Sequence, residues 1–139
     1  MKLDIKDKSN YLKGLLVLIG KDKKISTDES DFIMNVGKTL GFDQKFCEEA
    51  ISTLLENEYI SDDPPKFSDE NFARSFIEDG ISVSITDDEL TNMEVDYLKS
   101  IAAKNSVDES WFDEKLLKAK KISSNLNFIH PHLAVEKYL

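Results

Sequence analysis

The sequence predicts an all-α fold: a single compact helical domain of about seven helices, built from two pseudo-symmetric three-helix halves. The first observation behind this is composition, because only five of the 139 residues are glycine and three are proline, and apolar residues recur at helical spacing. The second observation is an internal repeat. A short acidic pattern at residues 22–33 recurs at residues 87–98, 65 positions later. We therefore expect each copy to occupy the same place in one half of the domain.

The chain is predicted to be one domain over residues 1–139, with a break close to its midpoint. The first half covers about 9–56 and the second half about 68–122, and a further short helix covers about 129–138. The linker between the halves is placed at 57–67, because the pattern Asp-Asp-Pro-Pro within it cannot continue a helix.

Three helices are predicted in the first half. Helix 1 is apolar on most of its surface over residues 11–19, which is typical of a central helix, and it ends near Gly20. Helix 2 starts from Ser26, which forms a capping box with Glu29, and ends at Gly41. Helix 3 is expected to bury an apolar stripe made of Phe46, Cys47, Ala50, Ile51, Leu54 and Leu55.

The second half repeats this plan. Ser68 is predicted to cap helix 4, and Thr91 forms a capping box with Glu94 at the start of helix 5. Residues 80–85 alternate like a short strand, but we predict helix because no second strand is available to pair with them. Asp108 is expected to cap helix 6. The residues predicted to be buried are Leu16, Val36, Ile81 and Ile101.

Both copies of the repeat fit the pattern D-x-x-[I/L]-[S/T]-x-x-E-x-D-[aromatic]-[aliphatic]. When residues 11–47 are aligned with residues 76–112, the identical positions are all acidic: Asp22/Asp87, Glu29/Glu94, Asp31/Asp96 and Asp43/Asp108. Capping alone could explain Glu29 and Glu94, and the positive end of the helix dipole suits Asp31 and Asp96. Asp22 and Asp87 precede the caps, so capping explains them less well.

These carboxylates could instead hold a hard cation such as calcium, which prefers six to eight oxygen ligands. The second turn, with Asp87, Glu94 and Asp96, is the better candidate because no basic residue is near it. In the first turn, Asp22 and Glu29 are the corresponding ligands. Neither turn is an EF-hand, because the loop glycine and the bidentate glutamate at its twelfth position are missing. No other cofactor is predicted.

The net charge is −9 and is unevenly distributed. Residues 61–96 hold 11 acidic residues and two basic ones, so this segment alone carries a charge of −9. The electrostatic field of such an acidic segment repels the phosphate backbones of nucleic acids and the head groups of anionic lipids. We therefore expect a protein partner with a basic surface, no nucleic acid and no direct membrane insertion, while the oligomeric state is left open.

The sequence contains few features that are typical of a catalytic site. The two histidines, His130 and His132, flank a proline near the C-terminus without an accompanying carboxylate pattern, and Cys47 falls in an apolar stripe. Phosphate-binding loops, nucleophile elbows and zinc spacings are absent. No signal peptide or membrane span is predicted, which indicates a cytoplasmic protein. We predict that the chain is not an enzyme.

The acidic turn D-x-x-[I/L]-x-x-x-E after an apolar helix, followed by an aliphatic stripe and Leu40-Gly41-Phe42, resembles the tellurite-resistance TerB-like family over about residues 10–120. The family has glycine after the aspartate, where Lys23 and Asp88 stand here. The resemblance implies two pseudo-symmetric helical halves and a non-enzymatic role, linked to metal or stress responses and to membrane-associated partner complexes. The acidic positions carried over are Asp22, Glu29, Asp87 and Glu94.

The leading functional hypothesis is a non-catalytic binding or adaptor domain that contacts a partner through the acidic surface of residues 61–96. The alternative is a calcium-type cation-binding domain with carboxylates at the turn from Asp87 to Glu94. A carboxylate-based enzyme is the third choice.

Overall fold

The computed structural model describes residues 2–20, 25–56, 63–85, 90–123 and 133–139. Within them the chain forms six α-helices, one 3₁₀ helix and no strand. The helices are α1 (Ile5–Ile19), α2 (Thr27–Leu40), α3 (Gln44–Glu56), α4 (Glu70–Ser84), α5 (Asn92–Lys104), α6 (Glu109–Ser123) and the C-terminal 3₁₀ helix (Ala134–Tyr138). The prediction of an all-α fold with about seven helices is confirmed.

Helices α1 and α4 form the centre of the core, and for α1 this is the position that its apolar surface predicts. Tyr11 of α1 and Phe76 of α4 meet edge to face with ring centroids 5.2 Å apart. Gly80 allows α4 to approach its neighbours closely, because an added Cβ would lie 2.9 Å from a methyl carbon of Leu98 and 3.0 Å from one of Leu18. The four residues predicted to be buried, Leu16, Val36, Ile81 and Ile101, are all buried.

The internal repeat is present in the helix boundaries. The first residues of corresponding helices are 65 positions apart in all three cases: Ile5 and Glu70, Thr27 and Asn92, Gln44 and Glu109. The turns after α2 and α5 also match, because Gly41 and Ser106 both have positive φ, at 92° and 58°. The following residue of each turn donates its backbone N–H to the carbonyl five positions earlier, at 2.8 and 2.9 Å.

Two predicted helix starts are wrong. Asp69, not Ser68, caps α4, with its carboxylate accepting from the backbone N–H two positions on at 2.7 Å. The Ser68 hydroxyl donates instead to Asp7, because α1 begins earlier than predicted, at Ile5 with Asp4 as its cap. Helix α1 thereby brings the Asp7 carboxylate within reach of the segment that enters α4.

Residues 80–84 are helical, so the choice of helix over strand is confirmed. At the C-terminus the predicted helix near 129–138 is a 3₁₀ helix over Ala134–Tyr138, and His130 and His132 lie outside the described residues, as do positions 57–62 of the predicted linker. None of the helices in the described part of the chain is both long and apolar enough to cross a membrane.

Candidate functional site

The two repeated glutamates act as helix caps. Glu29 Oε1 accepts the backbone N–H of Ser26 at 3.0 Å, and the Ser26 hydroxyl accepts the backbone N–H of Glu29 at 3.1 Å. Glu94 and Thr91 make the same reciprocal pair at 2.9 and 3.2 Å. Both glutamates are buried, so each places its carboxylate against the positive end of its own helix.

The structure does not bring the predicted metal ligands together within the residues it describes. Asp96 is exposed on α5, whereas the Glu94 side chain is buried at the N-terminus of the same helix. No group of three or more histidine, cysteine or acidic side chains that could hold a metal ion occurs there. Asp22 and Asp87 lie outside the described residues, so a cation site that includes them stays a prediction.

The acidic residues of segment 61–96 do not form one continuous described surface. Four of the eleven lie outside the described residues, two are buried and one caps α4. Two more form ion pairs, Glu70 with Arg74 at 3.0 Å and Glu78 with Lys115 at 3.2 Å. Much of the described negative charge in this segment is therefore already engaged within the protein.

A buried carboxylate that the sequence analysis did not identify lies on α4. Asp79 accepts three hydrogen bonds: from the Tyr11 hydroxyl at 2.5 Å and from the backbone N–H groups of Ala134 at 2.6 Å and Val135 at 3.2 Å. It therefore connects α1, α4 and the C-terminal 3₁₀ helix. One feature of the sequence could have identified it: an aspartate three positions after Phe76, within the apolar part of helix 4, is rarely left in a core without a partner.

Burial raises the pKa of Asp79 to about 6, although the hydrogen bonds from Tyr11, Ala134 and Val135 each lower it. Burial and then the Asp79 charge raise the pKa of the Tyr11 hydroxyl well above its usual range. At neutral pH the pair is thus a carboxylate and a protonated phenol, and Tyr11 donates the proton of the shared hydrogen bond.

An open apolar groove of about 400 Å³ lies between α1 and α3. Its walls are formed by Ser9, Leu12, Lys13, Leu16 and Val17 of α1, by Phe42, and by Phe46, Glu49, Ala50 and Thr53 of α3. Phe46 was predicted to be buried, which is wrong: 52% of it is exposed, and its ring stacks on Phe42 with centroids 5.4 Å apart. We call this feature the α1–α3 groove.

The repeat places a different surface at the corresponding position of the second half. Trp111 stands where Phe46 stands in the first half, and two cations, Arg74 and Lys115, each lie 5.5 Å from its ring centroid. Three ion pairs form on the same two helices: Glu70–Arg74 at 3.0 Å, Glu78–Lys115 at 3.2 Å and Glu114–Lys118 at 3.3 Å. Charged side chains of α4 and α6 thus lie beside Trp111, which is partly buried.

None of these three pairs has a counterpart in the first half. The residues 65 positions before Glu70 and Arg74 are Ile5 and Ser9, and those before Glu78 and Lys115 are Lys13 and Ala50. Glu114 and Lys118 correspond to Glu49 and Thr53. The short side chains Ser9 and Ala50 cannot reach across the cleft as Arg74 and Lys115 do. The α1–α3 groove therefore lacks the charged residues that lie beside Trp111 in the second half.

A second depression, of about 720 Å³, lies on the other side of α3 against α2. Cys47 is at its base but is almost fully buried, and a Cβ added at Gly37 would clash with its sulfur. Burial, followed by the nearby charges of Asp43 and Glu48, raises the pKa of the Cys47 thiol. Cys47 therefore acts as a packing residue between α2 and α3 and is a poor nucleophile at neutral pH.

Comparison with known proteins found no family model that matches the sequence, and neither a curated protein nor a solved structure that matches it.

Proposed function

We propose that this protein is a non-catalytic binding module, an adaptor that holds a protein partner in the α1–α3 groove. The observation that carries the proposal is the difference between the two halves. In the second half an ion pair joins α4 to α6 and a cation–π contact lies on Trp111, while the first half leaves Phe46 and an apolar floor open to solvent. Exposed apolar surface in a groove is typical of a protein-binding site.

The net charge of −9 supports a partner with a basic surface. Local ion pairing leaves the net charge unchanged, so the whole molecule still attracts a basic protein at long range. This attraction should accelerate association and weaken with salt, whereas apolar contacts in the α1–α3 groove should provide most of the affinity. The roles in stress or metal responses implied by the TerB-like resemblance are consistent with an adaptor and stay predictions.

The test is capture of partners from cell extract by the immobilised protein, followed by quantitative mass spectrometry. The wild type is compared with Phe46→Ser and with Leu117→Ser as the matched control. Leu117 is 56% exposed on α6, close to the 52% of Phe46, but lies outside the α1–α3 groove. Both variants should fold normally, because neither side chain is part of the core.

We expect the wild type and Leu117→Ser to retain the same partner and Phe46→Ser to retain about tenfold less of it. The reason is that burying a phenylalanine side chain contributes on the order of 1.5–3 kcal/mol. Raising the salt concentration should reduce the amount of partner that the wild type captures, because salt screens the long-range attraction. Equal retention by all three proteins would refute the proposed function.

A further inference from the structure

We propose that the occupant of the α1–α3 groove is an amphipathic helix of the partner protein, with a basic residue facing Phe46 and Glu49 and an acidic residue facing Lys13. This inference rests on the proposed function and adds the shape and charge pattern of the bound segment. The internal repeat supports it, because in the second half side chains of the protein itself contact Trp111, which stands at the position of Phe46.

The walls of the groove favour a helix. On α1 the lining runs from Ser9 to Val17, which is about two turns or roughly 12 Å at 1.5 Å per residue. On α3 it runs from Phe46 to Thr53, again about two turns. A channel between two helices presents apolar side chains in rows, and an amphipathic helix fills such a channel with residues spaced three or four positions apart.

The basic position of the occupant follows from Trp111. In the second half two cations lie over this ring, and the neighbouring Glu114 pairs with Lys118 at 3.3 Å. In the first half Phe46 and Glu49 keep the aromatic ring and the carboxylate, but Ser9, Ala50 and Thr53 replace the three cations. A lysine or arginine of the partner would supply both missing contacts, one with the ring and one with the carboxylate.

The acidic position follows from Lys13. It stands where the second half has Glu78, whose partner Lys115 reaches across the cleft at 3.2 Å. The charge on this wall is therefore inverted in the first half, and the residue opposite is Ala50. A glutamate or aspartate of the partner would meet Lys13 from the side of the groove that Ala50 leaves open.

The experiment uses three synthetic helical peptides of about 18 residues that share one leucine and alanine stripe. The mixed peptide has lysines along one edge of the stripe and glutamates along the other. The two controls have lysines along both edges or glutamates along both edges. Binding is measured by fluorescence anisotropy and by ¹⁵N–¹H NMR at 0.15 M salt, where long-range attraction by the net charge is largely screened.

We expect the mixed peptide to bind with a Kd about three- to tenfold lower than either control, since each exposed ion pair contributes only modestly. Its resonance shifts should include Leu12, Phe46 and Ala50, and Phe46→Ser should weaken it about tenfold. Lys13→Glu makes both charged walls acidic, so the preference should move to the all-lysine peptide. Glu49→Lys makes both walls basic, so the all-glutamate peptide should then bind best.

The proposal is overturned if no peptide shifts the groove resonances, or if wild type and Lys13→Glu rank the peptides identically. Self-association in sedimentation that Phe46→Ser abolishes would also overturn it, because the occupant would then be a second copy of this chain. These failures differ from failure of the proposed function. If capture from extract still depends on Phe46, the groove binds a partner of another shape, whereas capture independent of Phe46 removes the groove as a binding site.

Discussion

Asp79 joins three separate parts of the fold through long-range hydrogen bonds. Its two oxygens accept from the Tyr11 hydroxyl and from two backbone groups of the C-terminal 3₁₀ helix. The carboxylate is only 3% exposed, so its charge is poorly solvated even with three donors. The hydrogen bonds of Asp79 thus connect α1, α4 and the C-terminal 3₁₀ helix, but they require a charged group to be buried.

This burial predicts a specific pH dependence of stability. The pKa of Asp79 is about 6 in the folded protein against an ordinary 3.8, so the folded state binds this proton more tightly than the unfolded chain. The stability that proton binding by Asp79 contributes to the folded protein is fully present below about pH 3.8 and is lost as the pH rises through about 6. The shift corresponds to a contribution on the order of 3 kcal/mol.

We expect Asp79→Asn to remove this dependence, because the amide retains an acceptor oxygen and carries no charge. The free energy of unfolding, measured in urea between pH 4 and 7.5, should fall more steeply with pH for the wild type than for the variant. Asp96→Asn is the control, since Asp96 is exposed. Parallel curves for the wild type and Asp79→Asn would contradict the assignment.

At the scale of helices, the repeated acidic pattern defines where α2 and α5 begin. Both capping boxes use the same four atoms, and the four distances lie between 2.9 and 3.2 Å. A helix end needs an acceptor for its first backbone N–H groups, and this local requirement accounts for the conservation of glutamate between the two copies. Glu29 and Glu94 therefore have a structural role independent of any bound ion.

Thr91→Ala should destabilise the protein by about 1 kcal/mol, because it removes the side-chain acceptor at the start of α5. Glu94→Gln should cost less than about 0.5 kcal/mol, since glutamine also serves at this position of a capping box. Thermal unfolding measures both. Adding calcium at constant ionic strength provides the contrast with a metal ligand: a rise in Tm in the wild type that Glu94→Gln abolishes would show that Glu94 binds a cation.

At the scale of the whole molecule, the two halves share a backbone plan but present different surfaces. Corresponding helices start 65 residues apart, yet Trp111 is flanked by cations while Phe46 is half exposed. The core tolerates this difference, because the replaced positions lie on the surface of the clefts. The two halves of a duplicated fold can thus keep the same helix boundaries and present different surfaces.

Introducing the corresponding charged residues of the second half into the first half should close the α1–α3 groove. The triple variant Ser9→Arg, Lys13→Glu and Ala50→Lys recreates the charges of Arg74, Glu78 and Lys115. We expect its stability to change by less than about 1 kcal/mol, because exposed ion pairs contribute little. Partner capture should nevertheless fall about tenfold or more, since the apolar floor is covered.

Circular dichroism and thermal unfolding check that the triple variant is folded, and the capture experiment measures binding. Ser9→Ala is the control, because it changes a groove residue without covering the floor. A folded triple variant that retains as much partner as Ser9→Ala would show that binding occurs elsewhere on the protein.

The sequence by itself determined the features that depend on interactions between near neighbours along the chain. Helix α2 begins after Ser26 and ends at Gly41, as predicted, because a cap or a left-handed turn involves residues within about five positions of each other. The same holds for the capping box of α5. The helical period of the apolar residues also identified Leu16, Val36 and Ile101 as buried, since one face of each helix must lie against the core.

The tertiary structure decided which apolar residues are covered and which polar ones are buried. The hydrogen bonds of Asp79 to Tyr11 and Ala134 join residues 68 and 55 positions apart, and no local pattern encodes such a distance. Phe46 and Trp111 occupy equivalent positions in the repeat, and Phe46 was predicted to be buried. Their different surroundings depend on side chains from other helices, Arg74 in one half and Ser9 in the other, because exposure is set by what a neighbouring element can reach.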